Sequence, residues 1–71
     1  MIEEIKINRT YSNKIRKEWK AEGWQSAHYF TRRGVNVDLL RKQAKAGEIE
    51  ARVLNTEGVT TWYYKESDVF K

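Results

Sequence analysis

The chain has no cysteine and no proline, only four glycines in 71 residues, and a single histidine. Without cysteine there is no disulfide framework and no thiolate metal site. The lone His28 has no second His or nearby acid in sequence, so it reads as a surface or half-buried ring and not as a metal ligand. No Gly-rich phosphate loop and no nucleophile–base arrangement is present. No catalytic residue, metal or cofactor is therefore expected, and the chain does not read as an enzyme. The lack of Pro and scarcity of Gly argue against a disordered or linker-rich chain. No apolar run approaches a transmembrane span, and the opening MIEEIKINRT has neither a basic nor an apolar leader region. A cytoplasmic protein without a membrane partner is the expectation.

What is present suits one small domain, residues 1–71, near the size at which a single apolar core is only just sufficient. Three Trp and four Tyr bring the aromatic fraction to 13%, and large rings bury much area per residue. The net charge is +4 with a pI near 9.5, but it is unevenly spread. Residues 1–25 hold six Lys/Arg against four acids, residues 26–47 hold five against Asp38 alone, and residues 48–71 hold three against five. A polyanion-binding surface would be arranged this way. Charge alone fits a solvated face equally well.

Residues 1–9 include Ile5-Lys6-Ile7, an alternation too short to separate a frayed tail from a strand added to a sheet edge. From Tyr11 to Glu22 the pattern is helical, with Tyr11, Ile15 and Trp19 as one stripe, Ser12 as N-cap and Gly23 as stop. The basic residues of this helix (Lys14, Arg16, Lys17, Lys20) read as a solubilising face, with contact to phosphates as the alternative. Trp24 and Gln25 form a link.

The middle stretch, Ser26–Gly47, reads as two short helices around a tight turn. Ser26 caps the first, Ala27–Arg33, with Ala27 and Phe30 toward the core and Tyr29 half-buried. Gly34 supplies a positive φ for the turn, and Val35 packs inward. Asn36 caps the second helix, Val37–Ala46, and Gly47 stops it. That helix sets Val37, Leu40 and Ala44 on one side and Asp38, Arg41, Lys42 and Lys45 on the other. A helix–turn–helix of this kind holds one helix out for the DNA major groove.

After Gly47 the period changes to two. Glu48–Leu54 puts Ile49, Ala51 and Val53 on one face, and Val59–Tyr64 is rich in β-branched and aromatic residues. Asn55-Thr56-Glu57-Gly58 forms the turn between them. Trp62 and Tyr64 are placed on the core; the opposite register would bury Tyr63 instead. Lys65–Lys71 reads as a first helical turn with Val69 and Phe70 packing back. The fold class is α+β.

The residues Tyr29-Phe30-Thr31-Arg32-Arg33-Gly34-Val35-Asn36, then Ala46-Gly47-Glu48-Ile49, then the hairpin, then Tyr64-Lys65-Glu66-Ser67-Asp68-Val69 resemble the winged helix-turn-helix DNA-binding domain of the MerR-like and phage excisionase-like superfamily. The likeness covers residues 26–70. It implies an N-terminal extension (1–25), a helix-turn-helix (26–47), a two-stranded hairpin wing (48–64) and a C-terminal turn (65–71). Gln43 and Arg33 depart from it, standing where the family usually has apolar residues. The N-terminal helix has no counterpart in the minimal motif.

On this reading Arg41 suits bidentate readout of guanine, while Lys42 and Lys45 suit phosphate. Asn36 caps the helix or touches a phosphate or base edge. Asp38 accepts from cytosine or complements the helix dipole. Weaker contacts are expected from Arg32 and Arg33 beside the turn and from Arg52, Thr56, Thr60 and Thr61 on the wing. The expected partner is double-stranded DNA. One helix reads few base pairs, so specificity needs self-association on DNA, tandem sites, or a partner such as an integrase. The resemblance implies an excisionase that directs recombination; a small transcriptional regulator of a phage or mobile element, or the DNA-recognition part of a packaging protein, fits the same residues. A winged helix used for protein interaction, or for RNA through stacking on Trp19, Trp24 or Tyr63, is the alternative.

Overall fold

The computed structural model describes residues 2–70; of the expected C-terminal turn, Lys71 lies outside them. In chain order the elements are β1 (Ile2–Ile7), α1 (Arg9–Ala21), β2 (Trp24–Ser26), α2 (Ala27–Arg32), α3 (Val37–Lys45), β3 (Ala51–Thr56), β4 (Val59–Lys65) and α4 (Glu66–Val69). They form an α+β domain around one mixed sheet of strand order β1-β3-β4-β2. β3 and β4 are an antiparallel hairpin, β2 pairs antiparallel with β4, and β1 runs parallel to β3. The hairpin expected to stand as two strands is thus the centre of four. Among the described residues, no helix is long and apolar enough to cross a membrane.

Both faces of this sheet are covered, which explains its side-chain pattern. On one face Phe30 of α2 and Leu40 and Ala44 of α3 pack with Ile49, Ala51 and Tyr64. On the other, Trp19 of α1 packs with Trp24, Leu54 and Tyr63, with Ile5, Ile7 and Ile15 at its margin. A strand covered on one side alternates, whereas one covered on both buries consecutive residues. Val53 and Leu54 are such a pair, and so are Tyr63 and Tyr64. Tyr64 faces α2 and α3 as expected. Tyr63 is buried too, on the α1 face, while Trp62 is only half-buried.

Several boundaries move for local reasons. Residues 2–9 are an edge strand, the capping Asn8 and the first residue of α1. Asn8 caps α1, its side chain accepting from the Tyr11 amide at 3.3 Å. Ser12, expected as the cap, lies inside the helix, buried, with its hydroxyl donating to the Arg9 carbonyl at 2.9 Å. The inward stripe of α1 is therefore Ser12 and Trp19, both buried, with Ile15 half-buried between them, and Tyr11 is 58% exposed. Trp24 and Gln25, read as a link, form a three-residue strand with Ser26. β3 starts at Ala51 instead of Glu48 and continues through Thr56. The turn is only Glu57-Gly58, both at positive φ (49° and 91°), as the right-handed twist of a two-residue hairpin requires. Asn55 holds the turn by accepting from the Gly58 amide at 3.0 Å.

Ser26 caps α2, its hydroxyl accepting from the Tyr29 amide at 3.4 Å. Between α2 and α3, Gly34 sits at φ +78° with open space where a Cβ would be. Gly34→Ala therefore meets no clash and costs only the left-handed conformation, about 1–2 kcal/mol. Chemical denaturation measures that loss, and an unchanged midpoint would contradict it.

The Tyr64 hydroxyl is buried without a hydrogen-bond partner among the described residues. Burial pushes the phenol above its usual 10.0, and the nearby Arg41 guanidinium partly opposes that shift. A pKa raised by folding gives stability that is present below pH 10 and lost as pH rises through the folded value. Tyr64→Phe removes an unsatisfied buried polar group, so it is expected to leave neutral-pH stability unchanged or raised and to lessen alkaline unfolding. Urea midpoints at pH 7 and above pH 10 test this.

Candidate nucleic-acid interface

α3 is held from one side and offered from the other. Its N-terminus is fixed by Asn36, whose side-chain oxygen accepts from the Asp38 and Leu39 amides at 3.1 and 3.3 Å. Its start is also tied to α2, because the Val35 amide donates to the Phe30 carbonyl at 3.0 Å. Leu40 and Ala44 are buried and Val37 is half-buried, so the expected apolar side is the packed one. At 100° per residue, the opposite side carries Asp38, Lys42 and Lys45, all exposed. Gln43 is half-buried at the margin of the packed side, a place that tolerates its amide. Leu39, 51% exposed, stands on one flank of the outward face.

Arg41 occupies the other flank, toward the hairpin. Its guanidinium carbon lies 5.4 Å from the centroid of the Trp62 ring, and it sits close enough to Tyr64 to act on that phenol. Trp62 stacks on Tyr64 with centroids 6.3 Å apart and planes at 21°. The aromatic pair thus forms a shelf where α3 meets β4, and the shelf positions Arg41 at that junction. Reading the sequence placed Trp62 in the core and so missed this role. A ring near a guanidinium across the helix–strand boundary is a tertiary fact, and only the register of β4 could have hinted at it.

Asn36 is committed to its cap, so its side-chain oxygen is already in use. Asp38 lies in the first turn of α3, where a carboxylate complements the helix dipole. Arg32 is exposed at the end of α2. Arg33, the C-cap, folds its guanidinium 3.6 Å over the Tyr29 ring and donates to the Tyr29 carbonyl at 3.4 Å. Tyr29 in turn donates to Glu66 at 2.8 Å. That hydrogen bond is the main cause raising its pKa, followed by burial. The contact docks α4 against α2.

The expected hairpin contacts need correction. Arg52 points to the α1 face, away from α3. Its guanidinium lies 4.4 Å from the Trp24 ring centroid and pairs with Glu22 at 3.3 Å and Glu3 at 4.0 Å. It is a tie between α1 and the sheet, not an outward contact. Thr56 is only 9% exposed and belongs to the same α1 face. Thr61 is half-buried opposite Leu54. Only Thr60, exposed and on the face of Trp62, lies on the side of α3. These residues were misplaced for one reason: the second face of the hairpin was taken as solvent, and α1 covers it.

The surface therefore brings together Asp38, Arg41, Lys42 and Lys45, with Arg32 and Arg33 at the near end and Thr60 across the hairpin. Trp19, Trp24 and Tyr63 are 5%, 4% and 7% exposed, so none of them offers a ring for stacking. No known protein-family model matches the chain, and comparison with curated proteins and with solved structures finds no significant match.

Proposed function

We propose that the protein binds double-stranded DNA in the manner of a winged helix-turn-helix, with α3 in the major groove and the β3–β4 hairpin as the wing. The observation that carries this reading is the two-sided construction of α3. Leu40 and Ala44 hold it to the sheet, while Asp38, Lys42 and Lys45 face outward and Arg41 sits on Trp62 beside the hairpin. The order of α2, a tight Gly34 turn, α3 and an immediately following hairpin supports it further. Arg41 reads a base edge, and Lys42 and Lys45 meet phosphates.

Because one helix addresses few base pairs, the protein acts in arrays, as a dimer, or with a partner such as an integrase. An excisionase that sets the direction of recombination, or a small transcriptional regulator of a mobile element, is the role in view. Selection of binding sites from random duplexes, followed by footprinting, tests both points. The expected result is an enriched short motif that recurs in tandem or inverted copies. Equal retention of all duplexes, or preference for single-stranded RNA, would overturn the proposal.

A further inference from the structure

We propose that the cleft between the N-terminal half of α1 and the end of the β3–β4 hairpin binds a phosphate of the nucleic-acid backbone, giving the protein a second contact face across the sheet from α3. The choice of a nucleic acid as the source of that phosphate rests on the DNA-binding reading above.

The cleft has a volume of about 370 Å³ and is lined by Arg9, Ser12, Asn13, Arg16, Thr56 and Val59. Every side chain that a ligand would meet there is a donor, a hydroxyl or a methyl. Arg9, Asn13, Arg16 and Lys20 recur at intervals of four, three and four residues, so they form one ridge along α1. That ridge flanks the packed stripe of Ser12, Ile15 and Trp19 on the side of β4. Among the described residues, Arg16 makes no ion pair.

Thr56 supplies the independent sign. Its hydroxyl is buried without a hydrogen-bond partner among the described residues, although the residue lines the cleft. Ser12, the other hydroxyl there, is already satisfied by the Arg9 carbonyl. A buried hydroxyl normally finds a partner, and a phosphate oxygen would accept from it. Phosphate presents several acceptor oxygens to donors arriving from different directions, and it matches the planar guanidinium fork. The ridge from Arg9 to Lys20 extends about 16 Å along the helix axis, longer than a single phosphate needs and suited to a polymer.

One acid borders the site. Glu57 accepts from the Arg9 amide at 3.3 Å, and its carboxylate lies 3.8 Å from the Arg9 guanidinium. The pair is exposed, with side chains 82% and 52% accessible, and exposed pairs of this kind are held weakly. Glu57 therefore acts as a stand-in anion that an incoming phosphate displaces.

Two opposite variants test the site in the full chain. Arg16→Ala is expected to weaken duplex binding and to make the plot of log K against log salt shallower by about 0.9, one phosphate contact. Glu57→Gln is expected to tighten duplex binding several-fold, a gain that misfolding would not produce. Unchanged affinity in both, with unfolding midpoints like the wild type, overturns the proposal.

Amide NMR separates this claim from the reading of α3. If duplex shifts Asn13, Arg16 and Thr56 but leaves Lys42 and Lys45 unmoved, the cleft stands and the assignment of α3 falls. If only α3 moves, the cleft falls alone. A response of Thr56 to inorganic phosphate with none to duplex also overturns the backbone assignment.

Discussion

Phe30→Ala is expected to remove most of the stability of this domain. Phe30 is 0% exposed, and its ring is the hub of an aromatic cluster. Tyr29 meets it edge-on with centroids 5.3 Å apart, Tyr64 at 6.1 Å and Phe70 at 5.7 Å. Truncating a buried Phe to Ala costs about 3–5 kcal/mol through lost transfer energy and the cavity left behind. A chain of this length has roughly 4–11 kcal/mol in total at typical stability per residue, and no disulfide exists to limit the loss. The effect also reaches function, because the Phe30 ring packs with Leu40 and Ala44 and so holds α3 to the sheet. Urea unfolding followed by tryptophan fluorescence should show a much lower midpoint with an unchanged slope. A loss below about 1 kcal/mol would mean that the ring does not have the neighbours described.

The second large effect concerns α3. Arg41→Ala is expected to weaken binding to the preferred duplex by about 1–3 kcal/mol and to relax base preference at one position. Lys42→Ala should instead weaken all duplexes alike and lower the salt slope by about 0.9. The distinction follows from where the two side chains stand. Lys42 is on the outermost line of the helix, free to follow a phosphate. Arg41 is on the flank with its guanidinium over Trp62, so its planar fork is oriented before DNA arrives. Arg41→Lys should accordingly behave like the alanine variant in base preference, because an ammonium keeps the charge and loses the fork. Competition binding against single-base variants of the selected site measures this. Equal loss on every sequence for Arg41→Ala would move it to the phosphate class.

Much of the α3 region was legible because its signals are local. Asn36 and Ser26 cap, Gly34 turns at positive φ, Gly47 stops, and Leu40 and Ala44 recur at helical spacing; each depends on residues within one turn of itself. The hairpin and its Gly58 were legible for the same reason. What was missed depends on distant partners. β2 is three residues long, and pairing with Tyr63, Tyr64 and Lys65 makes it a strand. β1 carries Ile2 toward α2 and α3 but Ile5 and Ile7 toward α1, which destroys the alternation that would have announced it. Asn8 and Ser12 are both good caps by type, and the end of β1–β3 pairing at Ile7, one residue before Asn8, decides between them.

The candidate site shifted for that same reason. Arg52 and Thr56 look like outward residues if the hairpin has one free face. Once α1 lies on it, Arg52 becomes a tie between Trp24, Glu22 and Glu3, and Thr56 becomes the floor of a cleft. The basic residues of α1, read from sequence as a solubilising face, then acquire a shape. Arg9, Asn13 and Arg16 stand opposite the hairpin end, a relation that no spacing within α1 could express.

The most direct test of the account is the salt dependence of duplex binding, measured by fluorescence anisotropy for the wild type and for a variant with Arg41, Lys42 and Lys45 all changed to Ala. The account predicts that the wild type loses affinity steeply with salt. The variant should unfold at a similar denaturant concentration, bind more weakly, and show a slope shallower by about 1.8, from two phosphate lysines. A wild type whose affinity for duplex DNA does not depend on salt, or a folded variant with an unchanged slope, would contradict it.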